Sequence, residues 1–178
     1  MKQPVISIIT ICYNSAKTLE ETINSVLSQD YPALDYVIID GGSTDGTLDI
    51  IEKYRSQLGY FHSEKDEGIS DAFNKGIAAV KGDLIGIINS DDLLLPGALK
   101  EVAKAYDGQT DVYRGNVIIT NRDTGFSGRE TPSMKFPLAP FTIRCAHQGT
   151  FITPDAYRQY GVYDKKFRYM MDYDLLTR

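Results

Sequence analysis

The chain has 178 residues, 42% hydrophobic and 24% charged, which suits one globular core and excludes a disordered chain. Lys and Arg total 19 against 24 Asp and Glu, a formal charge of −5. That balance argues against a nucleic-acid binder, because phosphate backbones need a basic face.

In chain order, Val5 to Cys12 (VISIITIC) is a β-branched run that predicts a buried strand. Leu19, Ile23, Val26 and Leu27 then recur at helical spacing, with Thr18 and Glu21 offering a capping box, and Pro32 closes the unit. Tyr36 to Ile39 predicts a second strand ending at Asp40. Gly41-Gly42 turns the chain, and Leu48, Ile51 and Tyr54 mark a second helix face. Tyr60 to His62 reads as a short third strand. Ser70 opens a third helix along Phe73, Ile77 and Val80, with Gly82 past its end. Leu84 to Ile88 is a fourth strand, followed by Asn89-Ser90-Asp91-Asp92, and Pro96 begins a short helix carrying Leu99 and Val102. Such alternation predicts an α/β fold with a mostly parallel central sheet and helices on both faces.

The second half is less regular. Asp111 to Thr120 reads as one strand, Asn121 to Pro140 as a long loop containing Arg122 and Arg129, and Gly149 to Thr153 as another strand. Asp172 to Arg178 starts a helix that the sequence does not finish. The expectation is a single domain over residues 1–178, cut from a longer chain. Cys12 and Cys145 are the only cysteines and form no disulfide framework or zinc cluster, which points to a reducing setting. No signal peptide opens the chain, and no apolar run approaches the roughly 18 residues of a membrane span. Peripheral membrane contact stays open.

In an open parallel sheet, ligands bind outside the carboxyl ends of the strands. Three predicted strands end there in polar clusters: Tyr13-Asn14, Asp40-Gly41-Gly42-Ser43 and Asn89-Ser90-Asp91-Asp92. Taken singly, these suit a helix entry, a turn and a helix cap. Gathered on one rim, their carboxylates repel unless a cation or hydrogen-bond donors join them, and a divalent metal with a nucleoside diphosphate supplies both. A nicotinamide-binding domain needs a glycine-rich turn after the first strand, whereas this turn is Cys12-Tyr13-Asn14-Ser15-Ala16. A P-loop is absent too.

The run from Ser7 to Thr47, the stretch from Asp66 to Gly76 (DEGISDAFNKG), Gly82-Asp83, Asn89 to Gly97, His147-Gln148-Gly149 and Met171 to Leu175 together resemble the family 2 glycosyltransferases with the GT-A fold. The resemblance covers nearly the whole chain. It implies an inverting, metal-dependent enzyme that moves a sugar from a nucleoside-diphosphate donor, with uridine as the base, to a saccharide or lipid-linked saccharide acceptor. Bacterial surface polysaccharide synthesis at the cytoplasmic side of a membrane is the implied setting.

By the same resemblance, Thr10, Tyr13 and Asn14 line the base pocket, Asp40 accepts from the base, and Asn89 and Ser90 serve the nucleotide. Asp91 and Asp92 serve Mn²⁺ or Mg²⁺. Asn89 replaces the aspartate usual at the first position of the metal motif and brings one negative charge less. Asp172 matches the catalytic base, with Met171 where glutamate often precedes it, and Asp174 is the runner-up. His147 is a candidate for the diphosphate or the acceptor. Asp71 or Asn74 is expected to tie the third helix to the loop after the first strand, with Lys75 on a solvated face. The other classes are a sugar nucleotidylyltransferase, which lacks its glycine-rich basic loop here, and a non-catalytic sugar-nucleotide-binding module.

Overall fold

The computed structural model describes residues 3–121, 123–132 and 146–178. Cys145, Arg122 and the part of the expected loop from 133 to 140 lie outside the described residues. The elements are β1 (Ile6–Cys12), α1 (Leu19–Leu27), β2 (Leu34–Asp40), α2 (Thr47–Lys53), β3 (Tyr60–Ser63), α3 (Ile69–Ala79), β4 (Leu84–Asn89), α4 (Ala98–Ala105), β5 (Val112–Arg114), β6 (Val117–Thr120), β7 (Ser127–Glu130), β8 (Thr150–Ile152), α5 (Pro154–Tyr160) and α6 (Met171–Leu176).

A six-stranded sheet runs in the order β3-β2-β1-β4-β8-β5. The β1–β2, β1–β4 and β2–β3 pairs are parallel, so the strands ending at Cys12, Asp40 and Asn89 deliver their ends to one edge, as the alternation predicts. The other two pairs, β4–β8 and β8–β5, are antiparallel.

Side chains alternate across each strand, and the alternation builds two cores. Ile6, Ile8, Tyr36, Ile38, Leu84 and Ile88 pack with Leu19, Ile23, Val26, Ile51 and Leu99 from α1, α2 and α4. Ile9, Val37, Ile39, Ile85 and Ile87 pack on the other face with Phe73, Tyr157 and Leu175 from α3, α5 and α6. Each fully buried isoleucine or leucine contributes roughly 1.5–3 kcal/mol relative to exposure. The α3 helix sits so close to β1 that a Cβ at Gly76 would come within 2.4 Å of Ile9 Cγ2.

Four local expectations are corrected. The capping box is not formed: Thr18 is the N-cap of α1 but makes no side-chain cap bond. The short helix begins at Ala98 behind Gly97, not at Pro96, because Gly97 takes a φ of 79°. The single strand expected from Asp111 to Thr120 divides at Gly115-Asn116, with β5 joining the central sheet and β6 leaving it. Within the expected loop, Ser127–Glu130 forms β7 and pairs antiparallel with β6. An element absent from the sequence reading is α5, whose cap Thr153 accepts from Ala156 N and whose first turn holds Pro154.

Candidate active site

The loops after β1 and β2 are fastened to each other, and the first is fastened to the loop after β4. Asn14 N donates to Ser43 Oγ (2.7 Å) and Asn14 Oδ1 accepts from Thr44 N (2.9 Å). Ser15 N donates to Thr47 Oγ1 (2.8 Å), and Ala16 N to Asp45 Oδ2 (3.1 Å). Ser15 Oγ meets Ser90 Oγ at 2.8 Å, and Thr22 Oγ1 donates to the Asp92 carbonyl at 2.9 Å. Asn14 holds φ 49°, a left-handed conformation in which asparagine is enriched.

Asp40 is fully buried. Its Oδ2 accepts from Gly42 N (3.0 Å), Ser43 N (2.9 Å) and Ser63 Oγ (2.7 Å), and its Oδ1 from Ser43 Oγ (2.5 Å). Burial pushes its pKa up, but the serine hydroxyls and the two backbone amides outweigh burial and hold the carboxyl below its ordinary value. Asp40 therefore organises the loop from beneath and offers no open surface. Gly42 has φ 84°, and a Cβ there would lie 3.2 Å from Lys65 N, so this turn requires glycine. Cys12 is buried behind it. Burial first, and then the neighbouring Asp40, push its thiol well above the ordinary range, which makes it inert.

The remaining donor-side candidates divide by exposure. Tyr13 is 63% exposed at the rim. Thr10 is fully buried, and its hydroxyl pairs with Tyr36 Oη at 3.0 Å. Asn89 Oδ1 is buried without a hydrogen-bond partner. Asp91 is exposed and Asp92 half-buried. The Asp92 Oδ2 accepts from Gln148 Nε2 at 2.9 Å. No group of three or more His, Cys, Asp or Glu arranged to hold a metal occurs among the described residues. Asp66 was not singled out from the sequence, yet its carboxylate lies 2.6 Å from the place of a Gly41 Cβ, with Tyr13 Cβ 3.5 Å from the same point.

The second centre lies on the face of the sheet that carries α3, α5 and α6. His147 Nδ1 and Asp172 Oδ2 are 2.9 Å apart. His147 Nε2 and Asp172 Oδ1 are both buried and without hydrogen-bond partners. Both residues line a small cavity with Ile87, Thr150, Ile152, Tyr157, Tyr163 and Leu176. Burial raises the Tyr163 phenol well above its ordinary pKa, and the neighbouring Tyr157 and Asp172 raise it further. Asp174 points elsewhere and pairs with Arg178. The opposite aims of 172 and 174 follow from helical geometry.

Expectation and structure differ over the third helix. Asn74 does not reach the loop after β1. Its Nδ2 donates to the Tyr163 carbonyl (2.8 Å) and its Oδ1 accepts from Tyr163 N (3.0 Å). Asp71 pairs with Lys165 at 2.8 Å and Lys75 at 3.2 Å, and Lys75 also meets Glu64 at 2.7 Å. Ser70 Oγ donates to the Phe167 carbonyl at 3.4 Å. The helix thus carries the segment that leads into Asp172. That segment enters α6 through Met170, which holds φ 62°.

The mostly parallel sheet with helices on both faces is of the GT-A type of nucleotide-sugar transferase fold, which the solved structures below share. The family model for glycosyl transferase family 2 matches residues 7–169, and the chain belongs to that family. An uncharacterized glycosyltransferase of Rickettsia typhi is 29% identical over 97% of this chain and 57% of that protein. A PGL/p-HBAD biosynthesis glycosyltransferase of Mycobacterium bovis is 28% identical over 100% of this chain and 70% of its own length. Among solved structures, S. aureus TarS 1-349 in complex with UDP superposes with a TM-score of 0.77 at 24% identity, covering 96% of this chain and 53% of that one. The chain therefore spans between about half and 70% of the length of these relatives.

Proposed function

We propose that this chain is the donor-binding and catalytic core of an inverting glycosyltransferase. In this reading it moves a sugar from a uridine-diphosphate donor to a saccharide or lipid-linked acceptor hydroxyl, in the synthesis of a bacterial surface glycan or glycolipid at the cytoplasmic face of the membrane. The observation that carries it is the pair of adjacent residues His147 and Gln148. One holds Asp172 and the other holds Asp92, so a candidate base and the acidic donor loop are braced by one dipeptide. The UDP complex of TarS supports uridine as the base.

Tyr13 and Asn14 flank the uracil, and Thr10 and Asp40 contribute from below by shaping the loop. Asn89 and Ser90 meet the ribose and diphosphate, with the unpartnered Asn89 Oδ1 free to accept a ribose hydroxyl. A hard cation such as Mg²⁺ is bound by one or two carboxylates together with substrate phosphates rather than by an all-protein cage. The exposed Asp91, with Asp92 anchored behind it, fits Mn²⁺ or Mg²⁺ in that mode. When bound, the cation stabilises charge on the leaving diphosphate.

Asp172 Oδ1 takes the proton as the acceptor O–H bond breaks. The acceptor oxygen bonds to the anomeric carbon from the side opposite the diphosphate. The anomeric C–O bond breaks, its electron pair leaves on the diphosphate, and the configuration inverts. No covalent sugar–enzyme intermediate forms.

The test is turnover of the full-length protein on a panel of UDP-, GDP- and dTDP-sugars, with product stereochemistry read by NMR. Asp172→Asn is expected to lose turnover by about 10²–10⁴-fold and to keep UDP affinity. UDP binding with no turnover of any donor would make the chain a binding module. Full activity of Asp172→Asn would remove the base assignment.

A further inference from the structure

We propose that His147 is the positioning residue of the catalytic base: its Nδ1–H grips Asp172 Oδ2 and leaves Oδ1 as the single proton-accepting oxygen. The inference rests on the reading of Asp172 as base. Its geometric ground is the 2.9 Å contact together with two buried atoms that have no partner at hydrogen-bonding distance, Asp172 Oδ1 and His147 Nε2, with the Tyr163 hydroxyl near the carboxylate.

An ionised carboxylate only accepts hydrogen bonds. With the imidazole neutral, the proton in the contact sits on Nδ1, and Nε2 is bare. The ring is itself held. It lies tilted against Phe73 of α3, with centroids 5.4 Å apart, and belongs to a tight turn in which Gly149 N bonds the Ala146 carbonyl (3.2 Å) and Thr150 Oγ1 bonds the same atom (3.0 Å).

A buried carboxylate oxygen without a partner is unfavourable. That cost is recovered when a hydroxyl donor arrives. The acceptor hydroxyl is such a donor, and Asp172 and His147 line the same small cavity. With His147 in place the carboxylate presents one oxygen in one orientation. Without it the group swings, and misplacement of about 1 Å can cost about 10²-fold in rate.

This chain has two histidines, His62 and His147, and the signal lost in His147→Asn identifies the second in the full-length protein. In ¹⁵N-histidine-labelled full-length protein, assigned with His62→Gln if that variant folds and otherwise by loss of the signal in His147→Asn, His147 is expected to be protonated at Nδ1 and bare at Nε2. In Asp172→Ala it should revert to the Nε2–H form. Kinetics with the donor that turns over in the panel form the second arm. His147→Ala should lower kcat by about 10–100-fold, with donor KM unchanged. His147→Asn, which restores a donor near the Nδ1 position, should recover at least about tenfold of that loss, while His147→Gln, whose amide reaches the Nε2 position, should not. If His147→Ala does not fold, as judged by UDP binding, the Asn and Gln variants carry the comparison.

An Nε2–H tautomer in the unmutated protein overturns the proposal. So does rescue by Gln rather than Asn, which would place His147 on the substrate through Nε2. Loss of turnover in Asp172→Asn with none in His147→Ala leaves the base standing and overturns His147 alone. Full turnover of Asp172→Asn overturns both, whatever the tautomer.

Discussion

Gln148 Nε2 donates a 2.9 Å hydrogen bond to Asp92 Oδ2 across 56 residues of sequence. The bond joins the turn before β8 to the loop after β4. A hydrogen bond to a charged group is worth about 1.5–3 kcal/mol. Gln148→Ala is accordingly expected to weaken UDP binding about ten-fold, and Gln148→Glu to weaken it further by setting like charges against each other. Calorimetry with UDP and Mn²⁺ measures both, and unchanged affinity in Gln148→Glu would detach the pair from the donor site.

Asp91→Ala tests the cation. The side chain is exposed and supports no packing, so the melting temperature should stay close to that of the unmutated protein. UDP affinity should become insensitive to Mn²⁺ and to chelator. Calorimetric titrations with and without EDTA report this directly, and a persistent Mn²⁺ effect would exclude Asp91 as the ligand.

Asp174→Asn separates the two acids of α6. Asp174 pairs with Arg178 and does not touch His147, so its loss should cost less than about 0.5 kcal/mol, as for other i,i+4 pairs. Turnover should fall by less than about threefold. A loss as deep as that of Asp172→Asn would mean that the base is two residues further along.

Asn74→Leu is expected to destabilise the fold by about 1–3 kcal/mol, because it strands the buried-side N–H and carbonyl of Tyr163. Denaturant unfolding measures that loss. Asn74→Asp keeps the acceptor for Tyr163 N and loses only the donor, so its effect should be smaller at low pH, where the acid is protonated and can donate again.

Asp71 gives a pH signature. The Lys165 ammonium, and then the Glu67 amide and Lys75, outweigh burial and hold its pKa at about 2 against an ordinary 3.8. A depressed acid stabilises the folded chain above its unfolded pKa and loses that contribution as pH falls through the folded value. The contribution is about 1–2 kcal/mol, discounted because Lys165 is half exposed. The stability gap between the unmutated protein and Asp71→Asn should be full at pH 5–7 and close on acidification from about 4 to 2. Chemical unfolding at stepped pH checks it, and a gap that widens with acid would reverse the sign.

Local chemistry made the first half legible. The β-branched run of β1, the Val37-Ile38-Ile39 run of β2 and the helical spacing along α1 and α3 are enough to declare their elements, and parallel strands place their polar ends on one rim. The family motifs, local in the same sense, carried the candidate acids. The strand expected over Gly149 to Thr153 is found as β8, but three-residue strands such as β5 and β8 are too short to declare a direction, and their antiparallel entry depends on which sheet edge is open. The cap of α5 was legible in Thr153-Pro154 and was passed over. What tertiary structure alone decided was the partner of each polar atom. Asn74 meets Tyr163 across 89 residues and His147 meets Asp172 across 25, and Asp40 closes its own loop. Those pairings follow from how the late segment packs on α3 and β4, and no spacing in the sequence specifies such packing.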